Sequence, residues 1–251
     1  LGNLDDAIIF CKKAIELNSN YSEAYNNLGV TYKELGNLDD AIIFCKKAIE
    51  LNSNYAEAYN NLGIALKDYK KLEESEINYK RAIKLNPMYA EAYNNLGILF
   101  KDKNELENSK INYQKAIELK SDYAEAYYNL GITFRELGEL EKSETSYKLA
   151  IKYNPSYAEA YNNLGVTLRE LCKLDDSETA YKKAIELKNN YPDPYNNLSF
   201  TLLLKNQFEE AYKFSEWRWQ TKYNIGKKFI TSKPLWNGEN NKTILVWKEQ
   251  G

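Results

Sequence analysis

The chain of 251 residues contains no histidine. That absence excludes Ser-His-Asp and Cys-His nucleophile activation, histidine metal ligation and histidine pH switching within these residues. Cysteine is scarce as well, with three in all and no C-x-x-C pair. Neither a G-x-x-x-x-G-K-[ST] phosphate loop nor a G-x-G-x-x-G nucleotide fingerprint occurs. No apolar run approaches the roughly 20 residues needed to cross a bilayer, and no signal-peptide pattern opens the chain. The formal charge of -2, from 34 cationic and 36 anionic side chains, gives no basic footprint for nucleic acid or an anionic membrane. The expectation is a cytoplasmic protein with no catalytic site, no metal site and no cofactor. Carboxylates are abundant, but they recur in every part of the chain. An acid-base pair needs unique surroundings to separate its pKa values, so these read as solvated faces.

What the sequence has in quantity is repetition. The stretch Tyr-x-Glu-Ala-Tyr-Asn-Asn-Leu-Gly, first at 21–29, returns with opening tyrosines Tyr21, Tyr55, Tyr89, Tyr123, Tyr157 and Tyr191, a period of 34 residues. That is the length at which a helix-turn-helix unit stacks on copies of itself because one unit cannot bury its apolar face alone. Residues 1–21 repeat 35–55 letter for letter, as expected of a longer array that was cut.

Within one unit, Ala24, Tyr25, Leu28, Gly29 and Tyr32 share a helical stripe over Ser22 to about Leu35, the predicted first helix. Gly36 suits a left-handed helix stop. Leu38, Ala41, Phe44, Cys45, Ala48 and Leu51 then form the stripe of the second helix. Gly29 and Ala48 are small where two backbones must approach. Cys11 and Cys45 are one period apart on helices whose axes would lie roughly 8–10 Å apart, beyond the roughly 7 Å reach of a disulfide, and read as small buried hydrophobes. Cys172 falls in an inter-helix turn.

These positions resemble the tetratricopeptide repeat (TPR) family over about residues 1–222. The match rests on aromatics Tyr25, Tyr59, Tyr93, Tyr127, Tyr161 and Tyr195 and on the Leu-Gly pairs from Leu28-Gly29 to Leu164-Gly165. It extends to small residues Ala41, Ser75, Ser109, Ser143, Ser177 and Ala211 and to alanines Ala48, Ala82, Ala116, Ala150 and Ala184. The resemblance implies an all-α fold, a right-handed superhelical solenoid of antiparallel helix pairs. The expected units are a partial repeat with second helix only (1–21), repeats at 22–55, 56–89, 90–123, 124–157 and 158–191, and a divergent terminal repeat (192–222). The last carries Pro192, Pro194, Ser199 in place of glycine and Arg218 in place of alanine. Trp217 and Trp219 either dock on a further domain or cap the array. A linker and one short strand, Thr243 to Trp247, complete the chain (223–251).

First-helix residues that turn away from the second helix line the concave side of such arrays. The second member of each Asn-Asn pair gives a row, Asn27, Asn61, Asn95, Asn129, Asn163 and Asn197. Asparagine is a mediocre helix former, and its amide both donates and accepts, so the row suits capture of an extended polypeptide backbone. The other reading is that the amides bond to neighbouring helices or face water. The row resembles the asparagine ladder in the repeats of O-linked N-acetylglucosamine transferases, which implies that these six hold a protein substrate or adaptor. Lys33, Lys67, Lys101, Arg135 and Arg169, alternating with Glu34, Asp68, Asp102, Glu136 and Glu170, would flank it. In the tail, Glu216-Trp217-Arg218-Trp219, Pro234-Leu235-Trp236 and Ile244 to Gly251 are similar to the junction in bacterial proteins where TPR units lead into a glycosyltransferase-like domain. The resemblance implies a substrate-recruiting arm whose activity belongs to a longer parent. The alternative is a structural array that associates end to end through the apolar face of the partial first unit.

Overall fold

The computed structural model describes residues 2–215 and 217. Arg218, Trp219 and the strand expected at 243–247 lie outside the described residues. Between Pro155 and Ser156 the chain divides into two compact units. The first holds α1 (Gly2–Leu17), α2 (Ser22–Glu34), α3 (Leu38–Leu51), α4 (Ala56–Asp68), α5 (Leu72–Leu85), α6 (Ala90–Asp102), α7 (Leu106–Leu119), α8 (Ala124–Glu136) and α9 (Leu140–Tyr153). The second holds α10 (Ala158–Glu170), α11 (Leu174–Leu187), α12 (Pro192–Leu204) and α13 (Phe208–Ser215). Among the described residues there is no strand.

Each helix pair turns through one left-handed residue. Gly36 and Gly138 hold φ of 78° and 79°, and the same turn is made by Lys70, Asn104, Cys172 and Asn206 at 59–66°. Lys71 N–H reaches Leu66 O at 2.9 Å and Lys70 N–H reaches Lys67 O at 3.0 Å, the paired bonds of a Schellman stop. The turn therefore keeps its geometry where its preferred glycine is missing, at a steric cost borne by the side chain.

Packing inside a pair is set by one complementary contact. A Cβ on Gly63 would lie 2.7 Å from the ring of Tyr79. The same distance separates Gly97 from Tyr113 and Gly131 from Tyr147, with Gly165 and Tyr181 at 2.6 Å. These four rings are fully buried. Ser75 Oγ donates to Gly63 O at 2.7 Å, Ser143 to Gly131 at 2.8 Å and Ser177 to Gly165 at 2.7 Å, fastening the two backbones beside the ring. In the last pair, Ser199 replaces glycine and Ser215 stands where the ring would be. The hydrogen bond there runs the other way, from Ser199 Oγ to Ala211 O at 3.0 Å.

Trp217 stacks on Tyr195 with ring centroids 4.0 Å apart and planes 7° from parallel, so the capping reading fits this tryptophan.

Gly97→Leu drives a side chain into the Tyr113 ring and is expected to cost at least about 1–3 kcal/mol; an unchanged urea midpoint would contradict the packing scheme. Lys70→Gly removes left-handed strain worth ~1–2 kcal/mol against a glycine entropy penalty of ~0.5–1 kcal/mol. A small rise in melting temperature is the expected result.

Candidate peptide-binding face

In the first unit α2 touches α4, α4 touches α6 and α6 touches α8, while α3, α5, α7 and α9 do not touch one another. A stack with one row of helices in mutual contact and the other splayed curves toward the contacting row. The first helices therefore form the inner face of this unit. In the second unit α10 likewise touches α12, and α11 does not touch α13.

The paired asparagines join successive first helices on that face. Asn61 Nδ2 donates to Asn26 Oδ1 at 3.0 Å, Asn95 to Asn60 at 2.9 Å and Asn129 to Asn94 at 3.1 Å. Within the second unit Asn197 donates to Asn162 at 3.0 Å. Each bond spans 35 residues, one more than the period, so the second amide of one unit meets the first amide of the unit before. The acceptors Asn26, Asn60, Asn94 and Asn162 are buried. They use their own N–H groups further along: Asn26 on the Tyr55 hydroxyl at 3.4 Å, Asn94 on Glu125 at 3.5 Å and Asn162 on the Tyr191 hydroxyl at 3.3 Å.

The expected row is thus brought together as two sets, Asn27, Asn61, Asn95 and Asn129 in the first unit and Asn163 and Asn197 in the second. Asn27 is exposed, Asn61 and Asn95 half-buried and Asn129 buried. Four of these helices, α2, α8, α10 and α12, also return a hydroxyl to the same position, whereas α4 and α6 carry Ala65 and Leu99 there. Thr31 donates to Asn27 O, Thr133 to Asn129 O, Thr167 to Asn163 O and Thr201 to Asn197 O. These bonds are those of the other reading, in which the amides bond to neighbouring helices; that the partner is the buried first asparagine of the preceding unit is what the sequence reading did not contain. The signal was present in the first asparagine of each pair, which repeats as faithfully as the second until Tyr128 replaces it. That ring packs 5.9 Å from Tyr147.

The cations follow the same diagonal. Lys67 lies 3.5 Å from Asp68 and 3.9 Å from Asp102, and Lys101 lies 3.8 Å from Glu136. Arg169 donates to Asn197 O at 3.4 Å. Arg135 ends its helix at the corresponding place in α8. The Lys33 ammonium lies within hydrogen-bond or 4 Å ion-pair distance of no group among the described residues. It borders a shallow, open depression with Gly29, Val30, Cys45, Asn61 and Ile64. Burial pushes the Cys45 thiol up to about 12, which keeps it neutral and makes the floor apolar. Among the described residues no cluster of three or more acidic, cysteine or histidine side chains is arranged to hold a metal, and no helix is long and apolar enough to cross a membrane.

Models described as tetratricopeptide repeat match residues 1–21, 22–55, 44–77, 158–191 and 180–213. One described as TPR repeat matches 68–104, 99–134 and 133–171, so the matches run unbroken over 1–213. The chain belongs to the tetratricopeptide repeat family. Among solved structures, the all-α TPR fold is shared with the Cut9-Hcn1 hetero-tetramer of APC/C, at TM-score 0.76 and 13% identity over 90% of this chain and 45% of that one. MamA aligns at TM-score 0.58 and 28% identity over 67% of this chain and 92% of its own. YrrB, described as a TPR protein with an unusual peptide-binding site, aligns at TM-score 0.57 and 23% identity over 73% of this chain and 95% of its own. No curated protein sequence matches this TPR chain.

Asn94→Ala would strand the Asn129 amide and is expected to cost about 1–3 kcal/mol. Pairing it with Asn129→Ala should show a coupling of about 0.5–3 kcal/mol. Additive losses in denaturant titrations would mean that the ladder bond contributes nothing to stability.

Proposed function

We propose that this TPR chain is a protein-interaction scaffold that holds an extended polypeptide along its first-helix face. The observation that carries the reading is the state of the amide row. The ladder bond occupies one N–H of Asn61 and of Asn95, leaving each a second N–H and a carbonyl oxygen. Because both side chains are half-buried on the inner face, these groups can bracket the N–H and C=O of a passing backbone. The cations Lys33, Lys67, Lys101 and, in the same register, Arg135 would flank the strand in the first unit. In the second unit Asn197, bonded to Asn162 through one N–H, keeps a second N–H and its carbonyl oxygen, and Asn163 and Arg169 stand beside it in the same register. The peptide-binding site ascribed to YrrB, which shares the fold, is consistent with this use.

In the fuller reading the scaffold recruits protein substrates or adaptors for a glycosyltransferase-like parent in the cytoplasm. Support comes from the asparagine ladder and from the sequence of the tail. The three cysteines are free thiols, which suits a reducing compartment.

The test is a peptide selected from a random display library against the chain, followed by its affinity for Asn61→Ala/Asn95→Ala. Two lost hydrogen bonds at about 0.5–1.5 kcal/mol each predict a weakening of roughly tenfold, with helix content unchanged. Full affinity in the double variant would remove the amide row from the site.

A second reading, association of copies end to end, draws on the exposed apolar residues of α1. Phe10 is 69% exposed, whereas its counterpart Phe44 stacks on Tyr32 at 5.3 Å. Light scattering across a concentration series decides this case. A constant monomer mass sinks it, and assembly lost on Phe10→Lys supports it.

A further inference from the structure

The residue that closes each second helix differs from repeat to repeat, and where it is lysine it fills a defined place. Lys120 follows α7, and its ammonium stands 3.3 Å from a carboxylate oxygen of Glu91 and 4.8 Å from the centroid of the Tyr123 ring. In the second unit Lys188 repeats the arrangement, 3.0 Å from Glu159 and 5.3 Å from the centroid of Tyr191. A glutamate in the first turn of one first helix and the tyrosine that opens the next therefore form a seat for one ammonium, with an ion pair on one side and the negative face of a ring on the other.

The same glutamate and tyrosine recur with asparagine in place of the lysine. Glu57 and Tyr89 stand 34 residues before Glu91 and Tyr123, Glu23 and Tyr55 a further 34, and the lysine position is held by Asn86 and Asn52. The loop backbone is unchanged: Lys120 has φ -137° and ψ 91°, Asn86 -132° and 90°, Asn52 -138° and 93°. The asparagine side chains turn back into their own loops, Asn86 Oδ1 accepting from Met88 N–H and Asn52 Oδ1 from Asn54 N–H, both at 3.1 Å. Among the described residues no cation lies within 4 Å of Glu23 or Glu57, and none stands over the ring of Tyr55 or Tyr89. Burial, then the charges of Glu23 and Glu57, raise the Tyr55 phenol above its ordinary value; burial, Glu57 and Glu91 push Tyr89 up to about 12. Both rings stay neutral beside carboxylates. The Tyr55 hydroxyl also accepts from Asn26, the amide that receives Asn61, which ties this seat to the ladder.

We infer that Glu23 with Tyr55, and Glu57 with Tyr89, each take a lysine side chain of a bound polypeptide, as the later repeats take Lys120 and Lys188 from the chain itself. The inference rests on the inner-face binding reading and names the partner, a peptide with two lysines. Packed helices lie roughly 8–10 Å apart and an extended chain rises about 3.3 Å per residue, so the two lysines belong about three residues apart. Lysine suits the seat because its apolar stem lies along the ring while the ammonium reaches the carboxylate. Glu91 and Glu159 are already paired, which confines this recognition to the first two complete repeats.

The probe is the peptide acetyl-Ala-Lys-Ala-Ala-Lys-Ala-amide, titrated into the 15N-labelled chain beside a counterpart with norleucine for lysine. Saturable shifts are expected at the amides of Glu23 and Glu57 with the lysine peptide and not with the norleucine one. Glu23→Gln/Glu57→Gln should weaken binding roughly tenfold, the scale of two exposed ion pairs assisted by a ring. Asn52→Lys/Asn86→Lys supplies the internal ammonium of the later repeats and should weaken it at least as much, with helix content unchanged. Glu73→Gln/Glu107→Gln makes the same change of charge on α5 and α7 and should leave affinity as it was. Absence of shifts at Glu23 and Glu57, or an equal loss in the Glu73/Glu107 variant, overturns the lysine seats. A loss in Asn61→Ala/Asn95→Ala with full affinity in Glu23→Gln/Glu57→Gln also overturns them and leaves the amide row standing. The opposite result overturns the row and leaves the seats standing.

Discussion

A missing Cβ facing an aromatic ring is the constraint on which the helix pairs depend. At 2.6–2.7 Å the space is too small for even a methyl group, so glycine in the first helix and tyrosine in the second are one device in two parts. The ring occupies the gap that glycine opens, and the serine hydroxyl bonded to the glycine carbonyl fixes the depth of approach. Burial pushes the tyrosine phenols well above their ordinary range, so they act as neutral volume. The Ser199/Ser215 pair shows that the balance matters more than the residue types, since the donor and acceptor change sides and the backbones remain bonded.

Closing each pair this tightly leaves the polar side chains of the first helix to manage contact between pairs. The amide bonds and the ion pairs both follow a spacing of 35 residues, one step off the period. A side chain on a helix leans toward its N-terminus, and each amide accordingly reaches the residue one position earlier in the preceding unit. The result is a face whose polar groups are already oriented by their neighbours. Such groups lose little rotamer freedom when a ligand arrives, which favours binding by removing an entropic cost. The same arrangement makes the face part of the support of the fold, so its residues cannot be assigned wholly to binding or wholly to stability.

The repeat, the helix boundaries and the small residues at close contacts were legible because each is a local or strictly periodic property. Gly36 marked its turn correctly. The period placed Cys172 in its turn, but the left-handed conformation at Lys70 and Cys172 was not legible, because the Schellman bonds impose it on residues that do not prefer it, whereas Asn104 and Asn206 tolerate it. The amide row was legible as a row, whereas its partners were not. Pairing Asn61 with Asn26 requires the offset between stacked helices, which no single helix encodes. Cys45 read as a small buried hydrophobe, and it is buried. That its sulfur stands against Gly29 where the following pairs place a tyrosine ring became visible only in three dimensions, since the sequence records a residue's size but not what it faces.

A uniform ladder carries a consequence for any ligand. On the proposed reading, amides repeated at one angular position would hold a backbone without distinguishing one residue from the next, so a peptide shifted by one unit would regain equivalent bonds. Position must then come from a feature that does not repeat. Tyr128 interrupts the asparagine pattern at one end of the first unit, and Cys45 interrupts the tyrosine pattern at the other. The departures from the repeat, more than the repeat itself, are therefore where sequence selectivity can reside on this face.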